Sequence, residues 1–476
     1  MKVAFVHYHF RRGGVTSVVS NAVRSLTPLG VECVAICGEA TDVMMPCPLR
    51  QVQELGYRSD LSGQEPDEQA LFEALIAAGC DAFDGSDPDI WHIHNHSLGK
   101  NAVFAALVNR MVRSGRKVLL QIHDFAEDGR PSNYRVAKEC GSALYPCGNN
   151  VAYAVLNARD SEIMKKAGAA AHILPNPVPE PQANNGYDPD RALPQFEQLY
   201  LYPTRGIRRK NIGETALYAA IAPKGAGVAT TLAPQNPEWL PIHRNWGQFA
   251  KEHSLPLVLG ASDDGADYAA MCQRAEAWIT SSVAEGFGLA FLEPWAIDKP
   301  LIGRNLPAIT SDFVLEGLNL SNMYDALRVP VDSLDMAAFK SRLSHSMKRF
   351  REAYGKSFST QMLEEALSSW VLDDGIDFGV LDEHAQMESI EAVLASPALG
   401  EALANTAYRM PDAGVVTANH RVVAERYNMD AYGRLLLSLY EQLLAGQGTT
   451  GDAERIDENI ILDEFLSPKV FRMLRS

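Results

Sequence analysis

The sequence predicts an α/β protein of two doubly wound domains in tandem, closed by a helical C-terminal segment. Three observations carry that expectation. Short apolar runs alternate twice over with stretches of helical spacing, a Pro-rich polar segment separates the two series, and the runs stop beyond about residue 335. At 476 residues the chain is long enough for two or three domains, each with its own core.

In the first series Val3–Val6, Val31–Ile36, Ile90–Ile93, Val118–Ile122, Ala152–Leu156 and His172–Leu174 read as strands of a parallel sheet covered on both faces. Between them, Val18–Leu29, Glu68–Ala78, Ala102–Arg113 and Ser161–Ala167 read as helices, with Gly30, Gly115 and Gly168 as C-terminal caps. Residues 177–198 contain five prolines and Asn-Asn-Gly, the composition of a surface linker. The second series has strands at Leu199–Tyr202, Val228–Leu232, Leu257–Leu259, Ala277–Thr280 and Leu301–Ile302. Its helices are Ile212–Ile221, a segment near Trp239–Lys251, and Leu289–Ile297. Met336–Tyr354, Ser359–Val371, Ala385–Ala395 and Ala431–Leu444 then read as helices without further strands, followed by a polar tail. Residues 373–412 are acidic and read as an insertion or a partner surface.

Lys and Arg number 43 against 59 Asp and Glu, a net charge of −16 that disfavours nucleic acid and anionic membranes as partners and favours a small-molecule site. The seven cysteines form no CxxC pair, and no stretch of eighteen apolar residues occurs. A reducing, cytoplasmic setting without a transmembrane segment is expected.

Chemistry concentrates in two stretches of the second series. TSSVAEGFGLAFLEPWA (280–296) sets Glu285 and Glu293 eight positions apart around Gly286, Phe287, Gly288 and Leu289. A helix beginning near Gly288 would aim free N–H groups at an anion, with Glu285 before that cradle and Glu293 within reach of a ribose. LYPTRGIRRKN (201–211) follows the first strand of the same series and sends Arg205 and Lys210 beyond its C-terminal edge, where they can neutralise a departing diphosphate. Arg208 and Arg209 read as solvated charges, and Trp295 as core.

In the first series, HYHFRRGG puts His7, His9, Arg11 and Arg12 at a strand edge suited to an anionic acceptor. Arg130 and Arg135 follow His123 in a later loop. For these arginines a plain surface role stands beside the functional one. His92, His94 and His96 alternate at a strand end, so their side chains are expected on one face. One or two of them, His94 included, are expected to line an acceptor cleft, and no metal site is assigned.

EGFGLAFLE resembles the E-x7-E motif, and TRGIRRKN the Arg-x4-Lys-Asn clamp, of the retaining GT-B glycosyltransferases, most closely glycosyltransferase family 4. DIWHIHNHS (89–97), QIHDF (121–125), NARDSEIMKKAG (157–168), ILPNPV (173–178) and the ending around Tyr427–Leu444 extend the likeness. The resemblance implies a GT-B fold of two facing Rossmann-like domains: residues 1–180 on the acceptor side, a linker at 181–198, a donor domain at 199–410, and helices at 411–476 packing back across both. It implies transfer of a hexose, with retention, from a UDP- or GDP-hexose to a hydroxyl of a small or glycan acceptor, with no cofactor required. Arg205 and Lys210 would bind the diphosphate; Gly286, Phe287, Gly288 and Leu289 would contact phosphate or sugar through the backbone. Glu293 would bind the ribose, Glu285 the sugar hydroxyls, His123 would face the sugar, and Gly13-Gly14 would line the donor cleft. The stretch after Leu232 departs from the family pattern and leaves the base open. A GT-B epimerase or phosphorylase, and a non-catalytic partner subunit, are the alternatives. A dinucleotide enzyme is disfavoured because no G-x-G-x-x-G follows the first strand.

Overall fold

The computed structural model describes residues 1–39, 43–60, 66–179, 188–373, 375–448 and 455–475, so 181–187 of the expected linker lie outside it. The chain divides into two compact units. The first comprises Met1–Pro179, Ala353–Lys356 and Glu425–Ser467; the second comprises Glu180–Glu352, Ser357–Ala424 and Pro468–Ser476.

The first unit is built on strands β1 (Lys2–His9), β2 (Glu32–Glu39), β3 (Leu49–Gln51), β4 (Ile90–His94), β5 (Val118–Ile122), β6 (Val151–Val155) and β7 (His172–Ile173). All pair in parallel, in the order β3-β2-β1-β4-β5-β6-β7. Their continuous apolar runs follow from helices on both faces. One face buries Trp91, Phe104, Leu120 and Tyr153, the other Phe5, Leu119 and Leu436. Helix Met429–Leu444 packs on helix Gly14–Leu26 and sends Tyr440 to His92, whose Nδ1 lies 2.8 Å from the hydroxyl. The expected polar tail contains a further helix, Glu458–Phe465, which buries Ile461, Leu462 and Phe465 against this unit; charged residues around so short an apolar stripe hide it in the sequence.

The second unit carries β8 (Gln198–Arg205), β9 (Ala226–Leu232), β10 (Leu257–Val258), β11 (Ala277–Thr280) and β12 (Leu301–Gly303), parallel in the order β10-β9-β8-β11-β12. Strands do continue beyond residue 335. β13 (Arg328–Pro330), β14 (Val371–Leu372) and β15 (Gly375–Asp377) form a small antiparallel sheet of pieces too short to show a period. Ile376, Phe378, Leu381, Ile390 and Leu403 are buried in the same core as Tyr202 and Ile279, so residues 373–412 supply the core of this unit rather than an appended surface. The helix expected over Leu289–Ile297 is a 3-10 turn, Leu289–Phe291, followed by a four-residue helix, Glu293–Ala296. Pro294 explains the break: within a continuous helix it would lack an N–H and press its ring on the carbonyl four residues back. Among the described residues no helix is long and apolar enough to cross a membrane.

Each parallel sheet reverses its winding once, between β1 and β4 in the first and between β8 and β11 in the second. At such a switch the connections leave in opposite directions and open a crevice beyond the strands' C-terminal ends. Behind the second crevice Arg304, 4% exposed, is fixed between Glu214 and Asp377: Nε donates to Glu214 Oε1 at 3.0 Å, and Nη1 to Asp377 Oδ2 at 2.8 Å. Tyr324 donates to the same Glu214 at 2.7 Å. Arg304→Met is expected to strand the buried Glu214 carboxylate and the partly buried Asp377, and to lower the stability of this unit by about 3–5 kcal/mol, read as a lower urea midpoint.

Candidate active site

At the second crevice two loops are sewn together. Ser281, just past β11, donates to the carbonyls of Lys210 (2.9 Å) and Asn211 (3.1 Å), and the Val283 N–H donates to the Arg209 carbonyl at 3.0 Å. Asn211 takes a left-handed conformation, φ 53°, that ends the 3-10 turn Arg208–Lys210 and starts helix Ile212–Ala220. Its amide donates to Glu214 at 2.9 Å and accepts from Gln386 at 2.8 Å. The Arg304 network therefore reaches the backbone next to Lys210.

This stitching brings Lys210 to Glu285. The ammonium pairs with Oε1, Arg209 Nη1 donates to Oε2 at 2.7 Å, and Ser282 Oγ donates to Oε1 at 2.5 Å. Tyr202 in turn donates to Ser282 at 3.1 Å. Burial alone would raise the Glu285 pKa, but Lys210, Arg209 and Ser282 overcome it and hold the carboxyl down to about 2. Glu293 is partly buried, which pushes its pKa up, and it also feels the Lys210 charge, so Lys210 stands in the field of both glutamates. Arg209, read from the sequence as solvated, is a partner of Glu285; its companion Arg208 makes a two-point ion pair with Glu383. Neither partner lies near in sequence, so local spacing could not disclose the pairs.

Arg205 ends β8, and its Nη1 donates to the Ala233 carbonyl at 3.4 Å, on the β9 side of the crevice. Gly288 is left-handed (φ 93°), and a Cβ there would stand 2.9 Å from the Phe291 ring. Phe287 packs its ring on Phe313, centroids 5.5 Å apart, and Gly286 and Leu289 flank this Phe287–Gly288 pair in the same loop. The expected helix N-terminus is reduced to the short turn described above, so the positive end of a long dipole is absent there.

Histidines cluster at the ends of β1, β4 and β5, at the first switch point, where His7, His92 and His94 are buried and His123 is partly exposed. His94 Nδ1 lies 2.8 Å from His123 Nε2, the rings of His92 and His94 stack at 4.3 Å, and His7 Nδ1 donates to the His94 carbonyl at 3.3 Å. His94 Nε2 is buried with no partner among the described residues. A bare lone pair is tolerated in a protein interior better than a bare N–H, so His94 carries its proton on Nδ1 and donates to His123, whose own proton then sits on Nδ1. The backbone N–H of His123 donates to Asn95 Oδ1 at 2.7 Å. Removal from water holds His7 and His92 down to about 3, and His123 to about 4, so all three are neutral at pH 7.

The three histidines of WHIHNHS do not share a face. Asn95 adopts φ 53°, which breaks the alternation, and His96 turns to the opposite side, where Nε2 bonds the Leu144 carbonyl at 2.8 Å beside Tyr145 and Tyr153. Among the described residues no group of three or more His, Cys, Asp or Glu could hold a metal ion. Arg11 pairs with Glu39, and Arg12 and Arg135 are exposed. Arg130 is used within its own loop, donating to Asp124 at 2.6 Å and to the carbonyls of Phe125 and Asp128. Gly13 and Gly14 begin helix Gly14–Leu26 at the surface, and a Cβ at Gly14 would meet nothing within 4 Å. His9 packs on Tyr57, ring centroids 4.8 Å apart.

No protein-family model matches the chain. It is 26% identical, over 531 aligned positions, to the mannosylglucosyl-3-phosphoglycerate synthase of Petrotoga mobilis, an alignment that covers 99% of this chain and 98% of that protein. Among solved structures, sucrose-phosphate synthase of Thermosynechococcus elongatus matches with a TM-score of 0.52 at 16% identity, covering 93% of this chain and 99% of that one. Anabaena HepE, solved in complex with UDP-glucose, matches with 0.50 at 9% identity, covering 93% and 100%. The fold is GT-B, that of these glycosyltransferases.

Two titrations check the electrostatics. The Glu285 carboxyl, followed by carbon-13 NMR, is expected to stay ionised until the pH approaches 2; its contribution to stability is complete above the unfolded value of 4.5 and lost as the pH falls toward 2. Lys210→Met should move that titration upward. The buried histidines take up protons near 6.5 when unfolded but only near 3 to 4 when folded, so the first unit should lose stability as the pH drops from 6.5 to 4, seen as a falling urea midpoint.

Proposed function

We propose that this chain is a retaining hexosyltransferase that moves a hexose from a UDP- or GDP-hexose to a hydroxyl of an anionic acceptor. The observation that carries the reading is Glu285, an ionised and nearly buried carboxylate held by Lys210 and Arg209 at a sheet switch point. A nucleotide sugar needs both signs of charge there: cations for the diphosphate, and a carboxylate beside the sugar as positive charge develops on its anomeric carbon. The similarity along nearly the whole chain to a mannosylglucosyl-3-phosphoglycerate synthase supports a glycosyl transfer and an acceptor bearing acidic groups.

In this reading the diphosphate lies against Lys210, with Arg205 on the β9 side, and draws part of the positive charge from Glu285. The carboxylate, now less compensated, faces the sugar hydroxyls next to the anomeric carbon; Glu293 takes the ribose, and the backbone of Gly286, Phe287, Gly288 and Leu289 borders phosphate and sugar. As the anomeric C–O bond breaks, its electron pair goes to the diphosphate. The acceptor oxygen bonds the same face of the sugar and gives its proton to the departing phosphate. Arg209 and Ser282, which stay on Glu285 when Lys210 turns to the diphosphate, make it a poor nucleophile, which favours this same-face course over a glycosyl-enzyme intermediate. His123, presenting a neutral Nδ1–H, suits a sugar hydroxyl as acceptor of its hydrogen bond.

UDP-, GDP- and ADP-hexoses, screened by thermal shift, should include one that raises Tm, since a ligand at about a hundred times its Kd stabilises by about 2.7 kcal/mol. Glu285→Ala is expected to lower kcat about a hundredfold or more while nucleoside diphosphate binding survives, whereas Arg205→Ala weakens that binding. Epimerisation of the nucleotide sugar without acceptor, or no shift with any donor, would overturn the reading.

A further inference from the structure

The first crevice contains a cation that the site described above does not use. Lys100 sits in the loop between β4 and helix Phe104–Arg113, half-buried, with its ammonium 5.2 Å from the centre of the Tyr57 ring. Tyr57 also meets His9, from the end of β1, at 4.8 Å, and Tyr8 at 5.4 Å. His9 and Lys100 thus flank one aromatic ring across the β1/β4 switch point, where this fold class binds ligands.

The position of Lys100 is built. Gly99 before it is left-handed (φ 69°) and lies so close to helix Pro131–Glu139 that a Cβ would stand 1.9 Å from the Asn133 carbonyl. Its own carbonyl accepts from the Arg58 N–H at 2.8 Å, and Asn101 after it donates to the carbonyls of Glu54 and Gly56 at 2.8 and 3.0 Å. Yet the ammonium has no hydrogen-bond or ion-pair partner among the described residues. The neighbouring carboxylate, Asp124, is taken up by Arg130 at 2.6 Å. Burial and the Arg130 charge both press the Lys100 pKa below its usual range, with Asp124 opposing. In a chain of net charge −16, an unpaired and partly desolvated ammonium fixed beside a second cation is a place prepared for an anion.

We propose that Lys100, with His9 across the Tyr57 ring, binds a phosphate group of the acceptor. The inference rests on the transferase reading only in giving the anion to the acceptor. Lys100 is on this account a specificity residue, holding the part of the substrate that does not react.

The test uses the full chain at low ionic strength, with 3-phosphoglycerate and inorganic phosphate as probes and UDP and GDP in a separate arm. 3-Phosphoglycerate is expected to raise Tm of the wild-type chain, and inorganic phosphate to compete with it. Lys100→Gln should weaken its binding by about tenfold or more, since a charge-assisted bond is lost, and Lys100→Arg, which keeps the charge, should restore most of it. The inference is overturned if Lys100→Gln binds 3-phosphoglycerate like wild type, if inorganic phosphate fails to compete, or if neither probe shifts the wild type. An absent UDP and GDP shift alone strikes the donor reading and leaves the Lys100 result standing.

Discussion

A carboxylate taken out of water between two cations is the constraint around which the second unit is arranged. Glu285 could not remain ionised in so enclosed a place without Lys210 and Arg209, and those two cations could not stand so close without it. The loops after β8 and β11 are therefore tied electrostatically as well as by Ser281 and Val283. Behind them the chain Asn211–Glu214–Arg304–Asp377 gives the left-handed bend at Asn211 a fixed backing. Charges arranged before a ligand arrives need no reorganisation when it does.

The first unit treats polar groups differently. Its histidines are dried rather than paired, and burial keeps them neutral, so they offer directed hydrogen bonds instead of charge. The His94–His123 contact fixes which nitrogen points outward. Lys100 is the exception, charged but left without a counter-ion. The two switch points thus differ in electrostatic character although their topology is the same.

The sheets were legible in the sequence because strands buried on both faces write themselves as continuous apolar runs, and each expected parallel strand is found within a few residues of its expected ends. What escaped had no such periodicity: β3 with its sequence LRQ, the short pieces β13 to β15, and the helix Glu458–Phe465. Two misreadings trace to single residues. Pro294 cuts the helix expected after Gly288, a break its chemistry announces, and Asn95 turns His96 away from His94 through a left-handed bend that alternation does not show. Within the candidate site, Lys210 and Glu285 stood out by spacing, whereas Arg209 did not, since its partner lies 76 positions away. Lys100 gave no signal at all; it acquires meaning only from the carboxylates that turn elsewhere.

The first unit is discontinuous. Helix Met429–Leu444, which covers the face with Phe5 and supplies Tyr440 to His92, belongs to a segment separated from β7 by almost all of the second unit. During synthesis the early sheet therefore emerges with this apolar face covered only in part, by helix Gly14–Leu26, and its core stays incomplete while residues 180–424 leave the ribosome. The later unit, nearly contiguous, has most of its own chain in hand first. The leading half of the gene thus encodes a unit whose core is complete only once residues 425–467, encoded near the other end, have been made.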